Sequence, residues 1–421
     1  MEQGKQVAAG GGEPLDLGSK LVMLLGGALA SLALVAISSV LPAIDTALAH
    51  TPADSLLVKQ LVGAVGAAMM VGSLLAGFLI GRIAVRTILL AATLAYVLSG
   101  TAGLYLSDLR LLVASRMLLG LSAALIQITA LTLINTRLQG PARAHWMGLH
   151  ISIAMAFTIL IQPIAGFIGD QGWRFPFALH ALGLLILPAV LTIHEPRRPT
   201  VTTAAGQRSD DRAERKAFWA VFPFHYLPLA ILIGSMVFLP TIYAPFLLRE
   251  KGLGNPSTIA LVLTADSIAG ALIASQYGRA RRYLTRHGAF ATSFAIAGIG
   301  MLVAGLSSHV AGVIGGMLFY GLGVGWFVPN LMTALGEKID GARQAHAVGI
   351  VKAAHFSSAG VALLIMEPLS RSYGPQMSLL VMSGVAALLL VIILLRSSLG
   401  GTNPLRVGLA PLPVAAAGQS A

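Results

Sequence analysis

Four ionisable residues stand inside otherwise apolar runs: Asp45, Arg116, Asp266 and Lys352. A carboxylate in low dielectric holds its proton more tightly, and a nearby guanidinium releases it again. Asp45 or Asp266 could therefore load and unload a proton as its surroundings change. Arg116 could tune such a carboxylate, or serve structure by bonding helix-1 or helix-5 carbonyls. Lys352 can lose its proton when buried, can hold an anionic substrate, or can pair with Asp266. His355, three residues beyond Lys352, titrates near neutrality, or is simply hydrogen-bonded structure. Gln127, Gln162, Tyr243, Trp326 and Asn330, with Tyr320, are candidate lining groups, although polar side chains also serve helix packing. Glu367 precedes Pro368 and reads as interfacial.

The elements that must position these groups are membrane helices. The chain has 421 residues, of which 56% are hydrophobic and only 10% charged. An average soluble domain carries about a quarter charged residues, so too little polar surface exists here for a water-soluble globule. Apolar runs of about 20 residues read as transmembrane helices. They fall near 21–47, 58–80, 87–106, 110–136, 145–169 and 175–193, then 218–247, 256–278, 288–306, 309–335, 344–368 and 377–396. The expected fold is all-α and polytopic, with twelve transmembrane helices in two six-helix bundles. Its parts are an N-terminal segment 1–19, a bundle 20–193, a charged linker 194–216, a second bundle 217–396 and a Gly/Pro/Ala-rich tail 397–421. The first apolar run is too long for a signal-peptide core and reads as an uncleaved helix.

The net charge of +12 would suggest nucleic acid in a soluble chain, but its distribution explains it. With both termini in the cytoplasm, 20 of the 28 Lys and Arg residues fall on the cytoplasmic side. Six lie outside (Lys59, Arg110, Arg174, Arg249, Lys251 and Arg371), and Arg116 and Lys352 remain in the membrane. The positive-inside rule then fixes the orientation. Helix 1 runs outward and helix 4 inward, which gives Asp45 and Arg116 a similar depth and makes them natural partners.

Internal repetition supports two halves. GFLIGRIAVR begins at Gly77 and GRARRYLTR at Gly278; GLSAA begins at Gly120 and GLGVG at Gly321; AHWMG begins at Ala144 and AHAVG at Ala345. Each pair is 201 residues apart. LPAID (41–45) and LPTIY (239–243), and QP (162–163) and EP (367–368), echo at nearby offsets. Parallel repeats of six helices, with a site at the repeat interface, are the build of a rocking transporter. Arg116 has Met317 as its repeat-mate, so its role is specific to the first half.

These residues resemble the major facilitator superfamily, and within it the twelve-helix drug:proton antiporter branch. The family's loop between helices 2 and 3 carries a pattern near G-x-L-x-D-R-x-G-R-R. Gly77, Leu79, Arg82 and Arg86 match it, while Gly81 stands at the usual Asp and Ala84 at the second Gly. Gly77, Arg82 and Arg86 would form the gating loop, without the Asp-mediated latch. Arg116 and Gly120 match the helix-4 signature. QPIAGF keeps Pro163 and Gly166 of the helix-5 G-P-x-x-G-G pattern, and GWRFPF (172–177) is similar to the segment before helix 6.

Cys is absent, and no HExxH, GxxxxGK[ST], GxSxG or paired-His metal spacing occurs, so neither an enzyme nor ATP-driven transport is expected. GLGVGW (321–326) matches a nucleotide loop only in composition. The expectation is a monomeric transporter of the bacterial inner membrane that exports a small organic molecule in exchange for protons. It needs no cofactor, metal or nucleic acid. Proton symport or uniport of an organic anion is the alternative within transport. A non-transporting receptor or lipid-handling scaffold is the alternative outside it.

Overall fold

A computed structural model of the chain describes residues 16–193, 218–336, 338–339 and 342–399. The expected linker 194–216 lies outside the described residues, as do 1–15 and 400–421. The described residues are helical, with no strand beyond an isolated bridge between Ile80 and Ile83.

Among the described residues, eleven helices are long and apolar enough to cross a membrane. They are α1 (Leu17–Leu48), α2 (Pro52–Leu79), α3 (Val85–Leu104), α4 (Leu109–Arg137), α5 (Gly140–Gly169), α7 (Tyr226–Glu250), α8 (Pro256–Ser275), α9 (Arg286–Leu306), α10 (Val310–Leu335), α11 (Ala342–Tyr373) and α12 (Gln376–Leu399). The twelfth segment, α6 (Phe175–Leu191), is apolar but shorter than a normal span, and its first twelve residues are 3-10 helix. A short helix, Tyr277–Tyr283, links α8 to α9.

Local chemistry sets the helix starts. Asp16 accepts from the backbone N–H of Ser19 and from Arg137, so the cap of α1 also ties it to the end of α4. Thr51 and Asp54 form a reciprocal capping box that starts α2 at Pro52, six residues before the sequence-based boundary. The consequence is large for one residue. Lys59, expected outside the membrane, stands two turns inside α2 and is buried.

The helices close on one another through small residues. A Cβ at Gly120 of α4 would overlap the Val65 carbonyl of α2. A Cβ at Gly321 of α10 would overlap Asp266 of α8. Val65 and Asp266, like Gly120 and Gly321, are 201 residues apart, so the same crossing occurs once in each half. Large apolar side chains such as Leu160, Phe167, Leu185, Leu272, Leu306 and Leu395 remain on the outside, where hydrocarbon is their natural solvent.

Two seams join the first six helices to the last six: α2 with α11 and α5 with α8. Their contacts run from the face opposite the chain ends, here the distal face, to about mid-length. Gly63 and Gly66 lie against Ala359, and Gly166 lies against Ala260 and Pro256. Towards the terminal face the seams part. Among the described residues, no atom of another element lies within 4 Å of where a Cβ would stand at Gly77, Gly148 or Gly349.

Candidate functional site

The distal end of the α2–α11 seam is held by charge. Lys59 Nζ donates to both Glu367 oxygens, at 2.9 and 2.8 Å, and the two side chains are 9% and 3% exposed. Tyr243 of α7 donates to Glu367 Oε2 at 3.0 Å, and Arg371 Nε to Oε1 at 3.1 Å. The Lys59 ammonium also lies 5.3 Å from the Tyr243 and Phe246 ring centres. Every lone pair is thereby engaged, which a buried ion pair requires to offset desolvation.

More ties surround this latch. Arg249 of α7 donates to Asp45 Oδ2 at 3.1 Å and to the Pro42 carbonyl at 3.0 Å. The Ser257 N–H donates to Asp170 at 3.0 Å, and Arg371 reaches the Pro52 carbonyl. A vestibule of about 480 Å³ opens over these groups and reaches Lys59 and Glu367.

Asp45 is thus part of the distal closure, and its expected pairing with Arg116 is not formed. Arg116 is completely buried. Its Nη2 donates to the Gly100 carbonyl of α3 at 2.7 Å, its guanidinium stacks 4.6 Å from the Phe177 ring of α6, and its Nε and Nη1 have no hydrogen-bond partner. This side chain points into the α3–α4–α6 core. Periodicity could not show that, because α4 is apolar almost all round and offers no polar face to orient it.

Asp266 and Lys352 are also apart. Both are half-buried, and each lacks an ion pair among the described residues. Asp266 Oδ1 lies against Gly321, in a space that exists because position 321 has no side chain. Lys352 stands one turn before Phe356 on the face of α11 that, farther along, packs on Gly63 and Gly66. It lies near His355 on its own helix and, in the other half, near His150 of α5. His150 Nδ1 donates to the Met23 carbonyl at 2.6 Å. His355 packs between Phe238 and Phe356 with Nδ1 unpartnered.

The polar lining candidates divide. Gln162 accepts from Ser267 of α8 at 3.5 Å, across the second seam, and Gln127 is half-buried in α4. Trp326 donates to the Ile273 carbonyl at 2.6 Å. Asn330 accepts from Tyr277 at 2.8 Å and donates to the Arg286 carbonyl at 3.1 Å. Tyr320 donates to the Met236 carbonyl at 2.8 Å. These last three side chains fasten neighbouring helices to one another. At the α2–α3 turn, Arg82 donates to the Phe78 carbonyl and lies 4.0 Å from its ring. Arg86 follows at the start of α3. Gly81 there has φ +89°, a left-handed conformation that favours glycine.

Sequence reasoning missed the latch. Lys59 and Glu367 are 308 residues apart and both lie near expected helix ends. The T-P-A-D capping signature at 51–54 was the available signal, since it moves Lys59 inside the helix.

The profile of the Major Facilitator Superfamily matches residues 23–277. No curated protein matches the chain. Among solved structures, a D-xylose–proton symporter superposes with a TM-score of 0.74 at 17% identity, over 89% of this chain and 96% of that one. A mutant of the nucleoside transporter NupG gives 0.67 at 12%, over 90% and 99%. A partially occluded inward-open structure of the xylose transporter XylE from E. coli gives 0.69 at 16%, over 89% and 96%. Identities this low speak for fold alone. With the profile covering more than half its length and the helices arranged as in these carriers, the chain belongs to the Major Facilitator Superfamily, whose members are membrane transporters and not enzymes.

Proposed function

We propose that this protein carries a small organic solute across a membrane by alternating access, with proton movement linked to the solute through Asp266. The observation that carries this reading is the position of the Asp266 carboxylate in mid-helix, set against Gly321 and with no ion-pair partner among the described residues. A bare charge at mid-bilayer depth costs about 2.5–3.5 kcal/mol on insertion scales, and taking up a proton removes that cost. Rocking of the two halves would bring the carboxylate alternately towards each face.

The latch supports the same reading. Among the described residues, the cross-half ion pairs Lys59–Glu367 and Arg249–Asp45 lie at the distal face and would hold that entrance shut while the seams part at the other. We assign the terminal face to the cytoplasm of an inner membrane, on the distribution of Lys and Arg, 20 on that side against five on the other once Lys59 is placed within α2. Export by proton antiport is the reading that the Arg116 and loop signatures favour. It loses support from the Asp45 and Arg116 side chains, which are engaged elsewhere.

The test is proton movement in proteoliposomes containing a trapped pH-sensitive dye, with carboxylates, sugars, nucleosides and amines added in turn. A solute that moves protons through the wild type and not through Asp266→Asn supports the proposal. Solute flux without any proton movement would refute the coupling.

A further inference from the structure

Comparing the halves at their 201-residue offset isolates what is unique to each. The α2–α11 and α5–α8 seams are pseudo-symmetric: Lys59 of α2 corresponds to Ala260 of α8, and Glu367 of α11 to Gly166 of α5. The correspondence is also one of contact, since Gly166 packs directly on Ala260 where Glu367 binds Lys59. Lys352 corresponds to Ile151, which is 54% exposed on the parted side of the second seam. One seam can therefore close at the terminal face with apolar surface alone, and the other cannot.

The contacting positions of the α2–α11 seam show what Lys352 would meet. Lys59 lies against Glu367, Gly63 against Ala359 and Leu363, and Gly66 against Phe356 and Ala359. The helices are antiparallel, so continuing this register brings Lys352 opposite Met70 and Ser73. Neither is acidic, and the Ser73 hydroxyl already donates to the Met69 carbonyl. Closing the seam would bury an ammonium with no counter-charge.

We propose that Lys352 is the docking point for the carboxylate of a monocarboxylic organic solute, and that the bound anion is what lets the seam close over the lysine. The inference rests on the alternating-access reading above. One ammonium matches one negative charge. The Nδ1–H of His150 is committed to the Met23 carbonyl and is not free to donate to the anion. The rings of Phe238 and Phe356 beside His355 suit an apolar body attached to the carboxylate and disfavour a small inorganic anion. With the proton on Asp266 and the anion on Lys352, both isolated charges are neutral together, so proton and solute cross in the same step.

The chain has no cysteine, so Gly349→Cys introduces a single thiol. It stands on the parted face of α11, one turn before Lys352. The measurement is its maleimide labelling rate in the purified full-length protein, with benzoate as the anion and benzamide as its neutral counterpart. Benzoate is expected to slow labelling by about fivefold or more, within the range of ordinary coupling energies, and benzamide to leave it unchanged. Lys352→Ile, the residue of the other half, is expected to label slowly with or without benzoate. Lys352→Met serves as a second apolar replacement should the isoleucine variant not remain monodisperse. Labelling of wild-type background unaffected by benzoate, or apolar variants that label as fast as Lys352, would overturn the inference. Lys59→Ala separates the two levels, because weakening the distal latch should itself slow labelling at position 349. If it does while benzoate has no effect, the anion inference alone fails. If it does not, the alternating-access reading fails with it.

Discussion

Lys59 Nζ lies 2.8 Å from Glu367 Oε2 and joins α2 to α11, whereas the equivalent crossing of α5 and α8 has Gly166 on Ala260. One distal seam is held by an ion pair and the other by direct backbone approach. The ion pair can break and remake, while close glycine packing offers a pivot. That difference assigns the latch to the α2–α11 seam.

Removing one partner of a buried pair costs roughly 3–5 kcal/mol, because the other charge is stranded. The two partners are not equal here. Lys59→Ala leaves Glu367 with Tyr243 and Arg371. Glu367→Ala strands Lys59 inside α2. The alanine at 367 should therefore lower thermal stability more than the alanine at 59. Both should raise thiol labelling at a cysteine placed at Gly63, on the distal part of the seam.

Glycines at helix crossings separate from those on the parted face. Gly120→Ala forces a methyl into the Val65 carbonyl and should destabilise the α2–α4 crossing. Gly321→Ala pushes on the Asp266 carbonyl as well as its carboxylate, and should both destabilise the α8–α10 crossing and impair proton-coupled flux. Gly148→Ala meets nothing within 4 Å and should leave melting temperature unchanged. Thermal denaturation of the three variants, alongside flux for the second, checks the ordering.

Arg116 serves the α3–α4–α6 core in this account. Arg116→Met, the residue of the second half, should lower stability through loss of the Gly100 bond and the Phe177 stacking. It should leave the ratio of protons to solute unchanged. A variant that folds normally and loses only the coupling would restore Arg116 to the transport cycle.

Outside the membrane, Asp16 has its pKa held below the ordinary 3.8. Partial burial pushes it upward, but hydrogen bonds from Ser19 and the charge of Arg137 outweigh that. A depressed folded pKa contributes stability that is complete above the unfolded value and is lost as pH falls through the folded one. Asp16→Asn should therefore be less stable than wild type at pH 7, and the gap should shrink as the pH is taken below about 4. Melting curves across that range measure it.

Much of this architecture is legible in the sequence because hydrophobic length and charge distribution are properties of segments. The helices and the 201-residue repeat follow from them. Side-chain direction inside an all-apolar helix does not. Arg116 and Asp45 are expected as partners from helix direction, yet Arg116 turns into its own bundle and Asp45 meets Arg249. Lys59 was masked by a boundary placed six residues late. The QP and EP echo lies one helical turn from the register that the contacts give, in which Glu367 matches Gly166. Asp266 and Lys352 were expected as cavity charges and plausible partners. Their separation leaves both available for the roles proposed above.

The most direct test of the central claim compares two assays of Asp266→Asn in proteoliposomes. A neutral residue fixed at 266 should still allow solute exchange at equal concentrations, and should abolish accumulation driven by an imposed pH gradient. Exchange without accumulation is the predicted result. Accumulation at the wild-type level in Asp266→Asn would contradict the assignment of the proton to this carboxylate.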